Sequence, residues 1–98
     1  MTDSILLSLS LPSTNKDMLN EEIDEMKQLA LTLSYKIQSS IVQNRQSIDS
    51  STYFGKGKIN TVINQCNELK YKTLFINDEL EPGHYKRIQK LAGENLKI

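Results

Sequence analysis

The sequence lacks several features that would assign a protein to a class at once. It has no tryptophan, one histidine and one cysteine among its 98 residues. A lone Cys66 cannot form a disulfide within the chain, which fits the reducing cytoplasm. No run approaches the ~18 apolar residues of a membrane-spanning helix, and Asp3 stands where an export signal carries positive charge. We therefore expect a cytoplasmic protein with no membrane partner.

A strong net charge is also missing. The 12 basic and 12 acidic residues cancel, and the sequence pI is about 6.6, which argues against a protein that binds polyanions by total charge alone. The charge is nevertheless uneven, because residues 1–34 hold two basic and six acidic side chains while residues 35–98 hold ten and six. The second part of the chain is therefore the better place to look for an anion site.

Groupings of catalytic residues are absent as well. No Ser/His/Asp or Cys/His arrangement is visible, so we expect no catalytic residue and no enzyme activity in this chain. His84 has no ligand partner at a useful spacing, and we interpret it as a solvated helix residue with no metal site. Cys66 falls on an apolar helix stripe and is predicted to be a small core residue.

What the sequence does have is an alternation of strand-like and helix-like segments. Strands are predicted at residues 5–11, 35–43, 73–76 and 96–98, and helices at residues 19–33, 58–70 and 82–92. This order is typical of parallel sheets with right-handed crossovers. We predict one α/β domain over residues 1–98, a small three-layer βαβαβαβ arrangement in which helices flank a four-stranded parallel sheet. Because the chain stops inside the last strand, we expect a fragment of something longer.

The apolar pattern also predicts which side chains face inward. The third strand, Thr73-Leu74-Phe75-Ile76, is expected to be buried on both faces and therefore central. Asn20 is the expected N-cap of the first helix, and Pro82 and Gly93 are expected to bound the third helix. The predicted inward residues of the strands and helices are Ile5, Leu7, Leu9, Leu11, Leu19, Ile23, Met26, Leu29, Ala30, Leu33, Tyr35, Ile37, Ser39, Ile41, Ile59, Val62, Ile63, Cys66, Leu69, Tyr85, Ile88, Leu91 and Ala92.

The candidate site is the stretch Tyr53-Phe54-Gly55-Lys56-Gly57-Lys58, where a loop becomes the second helix. Glycines permit positive φ, so backbone N–H groups in such a turn can converge on an anion, and the helix N-terminus and two lysines add positive charge. We predict an anion, RNA or nucleotide site at Gly55, Lys56, Gly57 and Lys58, together with Arg45 and Tyr53. A tight helix entry with solvated lysines is an equally good interpretation, and the two aromatic rings either stack on bases or fill the sheet edge.

Asp78 and Glu79 end the third strand and are candidates for polar support of that site. Their more ordinary role is local, either capping the third helix or pairing with Lys56 or Lys58 across the end of the sheet. The glycine spacing excludes a phosphate loop, since Ile59 follows Lys58 where that motif needs serine or threonine.

Taken together, these motifs resemble a known family. Residues 53–59, Y-F-G-K-G-K-I, and residues 75–82, F-I-N-D-E-L-E-P, are similar to the Y-I-G-x-G-K turn and the D-D-E-L-S-P segment of the amino-terminal domain of HflX-type GTPases. Residues 22–34 and 42–43 are similar to that domain's first helix and second strand. Glu81, His84 and the pair Lys86-Arg87 depart from the family's serine, glutamine and arginine-asparagine.

The resemblance implies an α/β module that precedes a G domain and associates with the large ribosomal subunit. GTP and magnesium would belong only to that G domain, which is absent here, so the chain itself would carry no cofactor. The implied partners are ribosomal RNA and the protein's own G domain. Two alternatives stay open: an ATP-binding domain that hydrolyses nucleotide with the Gly-Lys turn and Asp78/Glu79, and a domain that mainly shields or orients the G domain.

Overall fold

The computed structural model describes all 98 residues as three strands and three helices in alternation. The strands are β1 (Thr2–Ser10), β2 (Tyr35–Asn44) and β3 (Thr73–Ile76), and the helices are α1 (Lys16–Thr32), α2 (Lys56–Glu68) and α3 (Pro82–Ala92). None of these helices is both long enough and apolar enough to cross a membrane. The predicted α/β class is confirmed.

The sheet has the order β2-β1-β3, and both pairings are parallel. The central strand is therefore β1, and the prediction that the third strand is central is wrong. Ile5, Leu6 and Leu7 are each 0% exposed, as expected of a strand covered on both faces. The alternating serines of β1 concealed this, because they are buried although they are polar.

The predicted fourth strand is not found. Residues 96–98 make one isolated parallel bridge, between Lys97 and Thr73. There the N–H of Leu74 donates to the carbonyl of Lys97, and the N–H of Lys97 donates to the carbonyl of Lys72, each at 2.9 Å. The sheet thus has three strands, and the outer edge of β3 is paired only at its start.

A β-bulge in β2 inverts the predicted alternation of that strand. Ser4 pairs with Ile37, but the next residue, Ile5, pairs with Ser39, so Gln38 is an extra residue. One extra residue moves every later side chain to the opposite face. Ile37 accordingly packs in the α1 cluster and Ile41 in the other one, instead of sharing a face as predicted.

Two apolar clusters cover the two faces of the sheet. The α1 face holds Leu6, Leu19, Ile23, Ala30 and Ile37. The opposite face holds twelve buried residues from β1, β3, α2, α3 and the segments beside the two helices: Ile5, Leu7, Leu9, Phe54, Ile59, Val62, Ile63, Cys66, Leu74, Ile88, Ala92 and Leu96. The predicted core position of Cys66 is confirmed.

Several predicted inward residues are exposed instead. Leu29 and Leu33 are 59% and 66% exposed. Leu29 lies about 100° around the helix from the buried Ala30, and Leu33 is the C-cap, beyond the last turn. Leu69, Tyr85 and Leu91 are also exposed, since each lies at a helix end or at the margin of an apolar stripe.

The helix starts were harder to predict than the helices. The N-cap of α1 is Asn15, whose Oδ1 accepts from the N–H of Met18 at 3.1 Å, so the prediction of Asn20 is wrong. The apolar periodicity marks the first inward residue, Leu19, and not the cap before it. By contrast, Pro82 does begin α3, and Gly93 ends it with φ of 78°, as predicted.

Candidate functional site

The three helices begin at the same edge of the sheet. Because β1, β2 and β3 are parallel and each is followed by a helix, the N-termini of α1, α2 and α3 all lie at the carboxyl ends of the strands. Ligands of open α/β sheets bind at this edge. The predicted Gly-Lys site lies there, at the start of α2.

The start of α2 lies two residues earlier than the sequence predicted. Gly55 is its N-cap, with φ −60° and ψ 136°, and Lys56 is its first residue. Neither Gly55 nor Gly57 uses the positive φ that glycine permits, since Gly93 is the glycine with positive φ. The N–H groups available to an anion are instead those of the first helical turn, because the helical bonds begin with the N–H of Ile59 donating to the carbonyl of Gly55 at 3.0 Å.

Gly55 is fixed in place by β2 and by the segment after it. Its N–H donates to Oε1 of Gln43 at 2.9 Å. A Cβ at this position would lie 2.7 Å from Nη1 of Arg45 and 2.7 Å from Nε2 of Gln43, so a side chain here would make the ends of both of these side chains move. Gly57 has no such neighbours within 4 Å.

The geometry therefore groups three of the predicted cations at one helix start. The guanidinium of Arg45 lies against the N-cap of α2, with its Nε–H donating to the carbonyl of Ser47 at 2.9 Å. Lys56 is exposed and Lys58 is half-buried, and both are in the first turn. Positive side chains beside the positive end of a helix dipole are favourable only when an anion lies between them.

The polar loop before the site is an ordered turn. Asp49 and Tyr53 exchange two backbone hydrogen bonds of 2.9 Å across it. The Asp49 carboxylate accepts from the N–H groups of Ser51 at 2.8 Å and Thr52 at 3.1 Å. These N–H groups, with the charge of Arg45 as a smaller cause, lower the pKa of Asp49 below its ordinary 3.8.

Tyr53 directs its ring into the protein. It has a positive φ of 66°, and its ring meets Phe54 and His84 edge-on at centroid distances of 5.2 and 5.7 Å. Its hydroxyl donates to Oδ1 of Asp78 at 3.4 Å, and burial followed by the charge of Asp78 raises the pKa of Tyr53. Phe54 is 0% exposed, so it is a core residue and not a base-stacking platform.

Asp78 links β1 to this turn and does not cap α3. Its Oδ2 accepts from the N–H of Leu9 at 3.0 Å, while its Oδ1 accepts from Tyr53. Burial raises the pKa of Asp78, and the hydrogen bond from Leu9 partly opposes this. The N-cap of α3 is Glu81, and Glu79 is exposed. The predicted capping role of these two acids is therefore wrong.

His84 and Arg87 are the residues that sequence reasoning missed. His84 is 7% exposed, so the prediction of a solvated histidine is wrong. Its Nδ1 accepts from the N–H of Glu81 at 3.2 Å, which leaves the other ring nitrogen, Nε2, to donate to the carbonyl of Ser50 at 3.2 Å. Nε of Arg87 donates to the carbonyl of Ser51. The available signal was the spacing of Glu81 and His84, which fits N-cap and N3 positions.

The groups at the start of α2 are cations and backbone N–H donors, which suit an anion. No three His, Cys, Asp or Glu side chains come together to hold a metal ion. Cys66 is buried, and burial raises the pKa of its thiol, which disfavours the nucleophilic thiolate. The chemistry that remains is electrostatic: cations, a helix N-terminus and free backbone N–H groups.

The amino-acid sequence of this chain is similar to a known family and to several proteins. The family described as GTP-binding GTPase N-terminal matches residues 20–97. The chain is 32% identical over 73 residues to the GTPase HflX of Alkalihalophilus pseudofirmus, a match that covers 74% of this chain and 17% of the relative. It is 31% identical over 67 residues to the GTPase HflX of Lacrimispora saccharolytica, covering 68% and 16%. A third GTPase HflX, from Flavobacterium psychrophilum, is 25% identical over 88 residues, covering 90% and 21%. The chain thus spans about a fifth or less of the length of these relatives.

Proposed function

Because the chain belongs to the GTP-binding GTPase N-terminal family, we propose that it is the non-catalytic amino-terminal module of an HflX-type GTP-binding protein. In this proposal the module works in the cytoplasm, where it associates with the large ribosomal subunit by binding phosphates of ribosomal RNA. GTP and its magnesium ion would be bound by a G domain elsewhere in the full-length protein, and that G domain would be a second partner of the module.

One observation carries the proposal: three cations surround one helix N-terminus at the ligand-binding edge of the sheet. Arg45 lies against the N-cap, and Lys56 and Lys58 are in the first turn. The N–H groups of that turn have no helical partners. This combination favours a phosphate oxygen over a neutral ligand.

The ATP-binding alternative gains nothing from the site. It needs Asp78 or Glu79 to hold magnesium near the Gly-Lys turn, but both oxygens of Asp78 accept hydrogen bonds, from Leu9 and Tyr53, and Glu79 is exposed. The RNA-binding proposal needs only the cations and the helix start, so we prefer it.

The proposal can be tested by co-sedimentation of the chain with purified large ribosomal subunits at low salt. The test variant is Lys56→Gln with Lys58→Gln, which removes two charges without shortening the side chains to alanine. The matched control is Lys70→Gln with Lys72→Gln, an exposed pair at the same spacing just before β3. We expect the test pair to weaken binding about tenfold, at ~0.7 kcal/mol for each cation, and the control pair to have little effect. Equal effects of the two pairs would show that the start of α2 has no special part in binding.

A further inference from the structure

A second polar cleft lies beside the site, between the carboxyl ends of β1 and β2 and next to the start of α1. Its volume is about 490 Å³, and only one of its eight lining residues is hydrophobic. Two of the lining residues are cations, Lys16 and Arg45, and none is acidic. This absence of acids is informative, because residues 1–34 hold six acidic side chains and only two basic ones.

The two cations approach the cleft from different elements. Lys16 is the first residue of α1, and Arg45 follows the last residue of β2. Arg45 is held in place by its own N–H, which donates to the carbonyl of Ser10 at 2.9 Å, and by its Nε–H, which donates to Ser47. A cation whose backbone and side chain are already fixed loses little further freedom when it binds an anion.

The cleft also offers hydrogen-bond donors that the fold leaves unused. In the first turn of α1, the Asn15 side chain accepts from the N–H of Met18, while the N–H groups of Lys16 and Asp17 have no helical partner. Ser10 lines the cleft and is 4% exposed. Its carbonyl accepts from Arg45, but its hydroxyl has no partner within the protein.

A second serine of β1, which does not line the cleft, has a buried hydroxyl with no partner. Ser8 lies two residues before Ser10 in β1, on the same face of the strand. Its Oγ is buried without any hydrogen-bond partner. Buried polar groups without partners are rare in folded proteins and mark positions that a ligand or water can satisfy. Of these two serines only Ser10 lines the cleft, so its hydroxyl is the one that can reach a ligand there.

From these observations we infer that the cleft binds the phosphate group of a phosphomonoester. Lys16 and Arg45 neutralise the two charges of the phosphate, and the Ser10 hydroxyl and the free N–H groups of α1 donate to its oxygens. The site goes beyond the proposed function, since it uses the start of α1 and not that of α2. Arg45 lines this cleft and also lies against the N-cap of α2. The phosphate belongs either to a small phosphorylated molecule or to the 5′ end of an RNA chain.

The test is an NMR titration of the 98-residue chain, following backbone amide signals. The probes are inorganic phosphate, ribose 5-phosphate with ribose as its control, and a short oligoribonucleotide with and without a 5′-phosphate. The test variant is Lys16→Gln. Its matched control is Lys27→Gln, which removes the same charge further along the same helix.

We expect saturable shifts at residues 10, 16, 17 and 44–46 with the phosphorylated probes only, and a Kd raised about fivefold or more by Lys16→Gln but not by Lys27→Gln. Ribose 5-phosphate binding no weaker than the oligoribonucleotide identifies a small molecule as the ligand, and the opposite order identifies an RNA end. The inference is overturned if Lys16→Gln titrates like the unaltered chain, or if the shifts centre on residues 56–58. The second outcome would leave the proposed function standing, while loss of RNA binding in the Lys56/Lys58 pair alone would leave this site untouched.

Discussion

Gly55 and Gly57 stand two residues apart at the start of α2, yet they are glycines for different reasons. Gly57 is helical and exposed, and no atom lies within 4 Å of the position that a Cβ would take there. Alanine at this position should raise the free energy of unfolding by about 0.5–1 kcal/mol, because glycine is a poor helix former.

Gly55→Ala is the matched comparison, and it should have the opposite sign. The new Cβ displaces Arg45 and Gln43, and moving Gln43 breaks its hydrogen bond to the N–H of residue 55. We expect a loss of about 1 kcal/mol. Urea unfolding of both variants measures the difference, and a Gly55→Ala variant as stable as Gly57→Ala would show that Arg45 does not lie over this N-cap.

Asp78 and Asp49 should affect the pH dependence of stability in opposite directions. Burial raises the pKa of Asp78 above 3.8, so ionising it is harder in the folded state, and stability is lost as pH rises from 3.8 through the folded-state pKa. The pKa of Asp49 is lowered, so its contribution is present above 3.8 and is lost as pH falls through the folded-state pKa.

Unfolding measured from pH 3 to pH 7 separates these two signs. Relative to the unaltered chain, Asp78→Asn should gain stability as pH rises across this range, whereas Asp49→Asn should lose it. Stability differences that do not change with pH for either variant would contradict both assignments.

At the scale of residues, the sequence predicted which side chains lie near the start of α2 better than the contacts that each one makes. Gly55, Lys56, Lys58 and Arg45 do lie at one helix start, and the glycines and lysines that precede the apolar stripe of α2 are a local signal for that start. His84 could not be assigned from the sequence, since its burial depends on the Ser50 carbonyl, which lies 34 residues earlier in the chain.

The β-bulge at Gln38 is the feature of β2 that determines which way its side chains face. Deleting Gln38 removes the extra residue but keeps Ile37 opposite Ser4 and Ser39 opposite Ile5. The deletion should therefore be tolerated, with a loss of about 1 kcal/mol or less, part of it from the exposed bond between Gln38 and Asp3.

Deleting Ser40 is the control of equal length. Deleting Ser40 turns either Gln38 or the residues after the deletion to the opposite face of the sheet. It should therefore be clearly more destabilising than deleting Gln38. Thermal unfolding compares the two deletions, and the bulge assignment is wrong if the Gln38 deletion is the more damaging of the pair.

The contact between α3 and the turn at residues 49–53 is the second feature at the scale of elements. His84→Ala removes the acceptor for the N–H of Glu81 and the donor to Ser50, and should reduce stability by about 1–2 kcal/mol. Hydrogen exchange should show lost protection at Asp49 and Tyr53, whose amides close the turn, and unchanged protection in α2. Lys86→Ala, an exposed neighbour on α3, is the control; equal exchange in both variants would show that His84 does not hold the turn.

The strands and helices could be predicted where apolar residues recur at the spacing of a strand or a helix. The alternating residues of β1 predicted a strand and the apolar stripe of α2 predicted a helix. The alternation of strands and helices along the chain predicted the parallel sheet. The bulge, the edge position of β3 and the Asn15 cap could not be predicted from the sequence. Each depends on how the strands pair or on a single side-chain hydrogen bond, and not on a repeated pattern. A three-residue segment such as 96–98 carries too little pattern to separate a strand from an isolated bridge.

For the molecule as a whole, the capacity to bind an anion depends on where the charges lie and not on the net charge. The chain has no net charge, but the parallel sheet collects three helix N-termini at one edge. Arg45, Lys56 and Lys58 lie at one of those starts. An RNA-binding surface of this kind should show a shallow salt dependence set by a few contacts, unlike the steep dependence of strongly basic proteins.

The slope of log K against log salt for binding to the large ribosomal subunit tests this account most directly. Replacing Lys56 and Lys58 by glutamine should make that slope shallower by about 1.4–1.8, from about 0.7–0.9 for each of the two lost phosphate contacts, while replacing Lys70 and Lys72 should leave it unchanged. A slope that stays the same in the Lys56/Lys58 variant would contradict the claim that the start of α2 binds RNA phosphate.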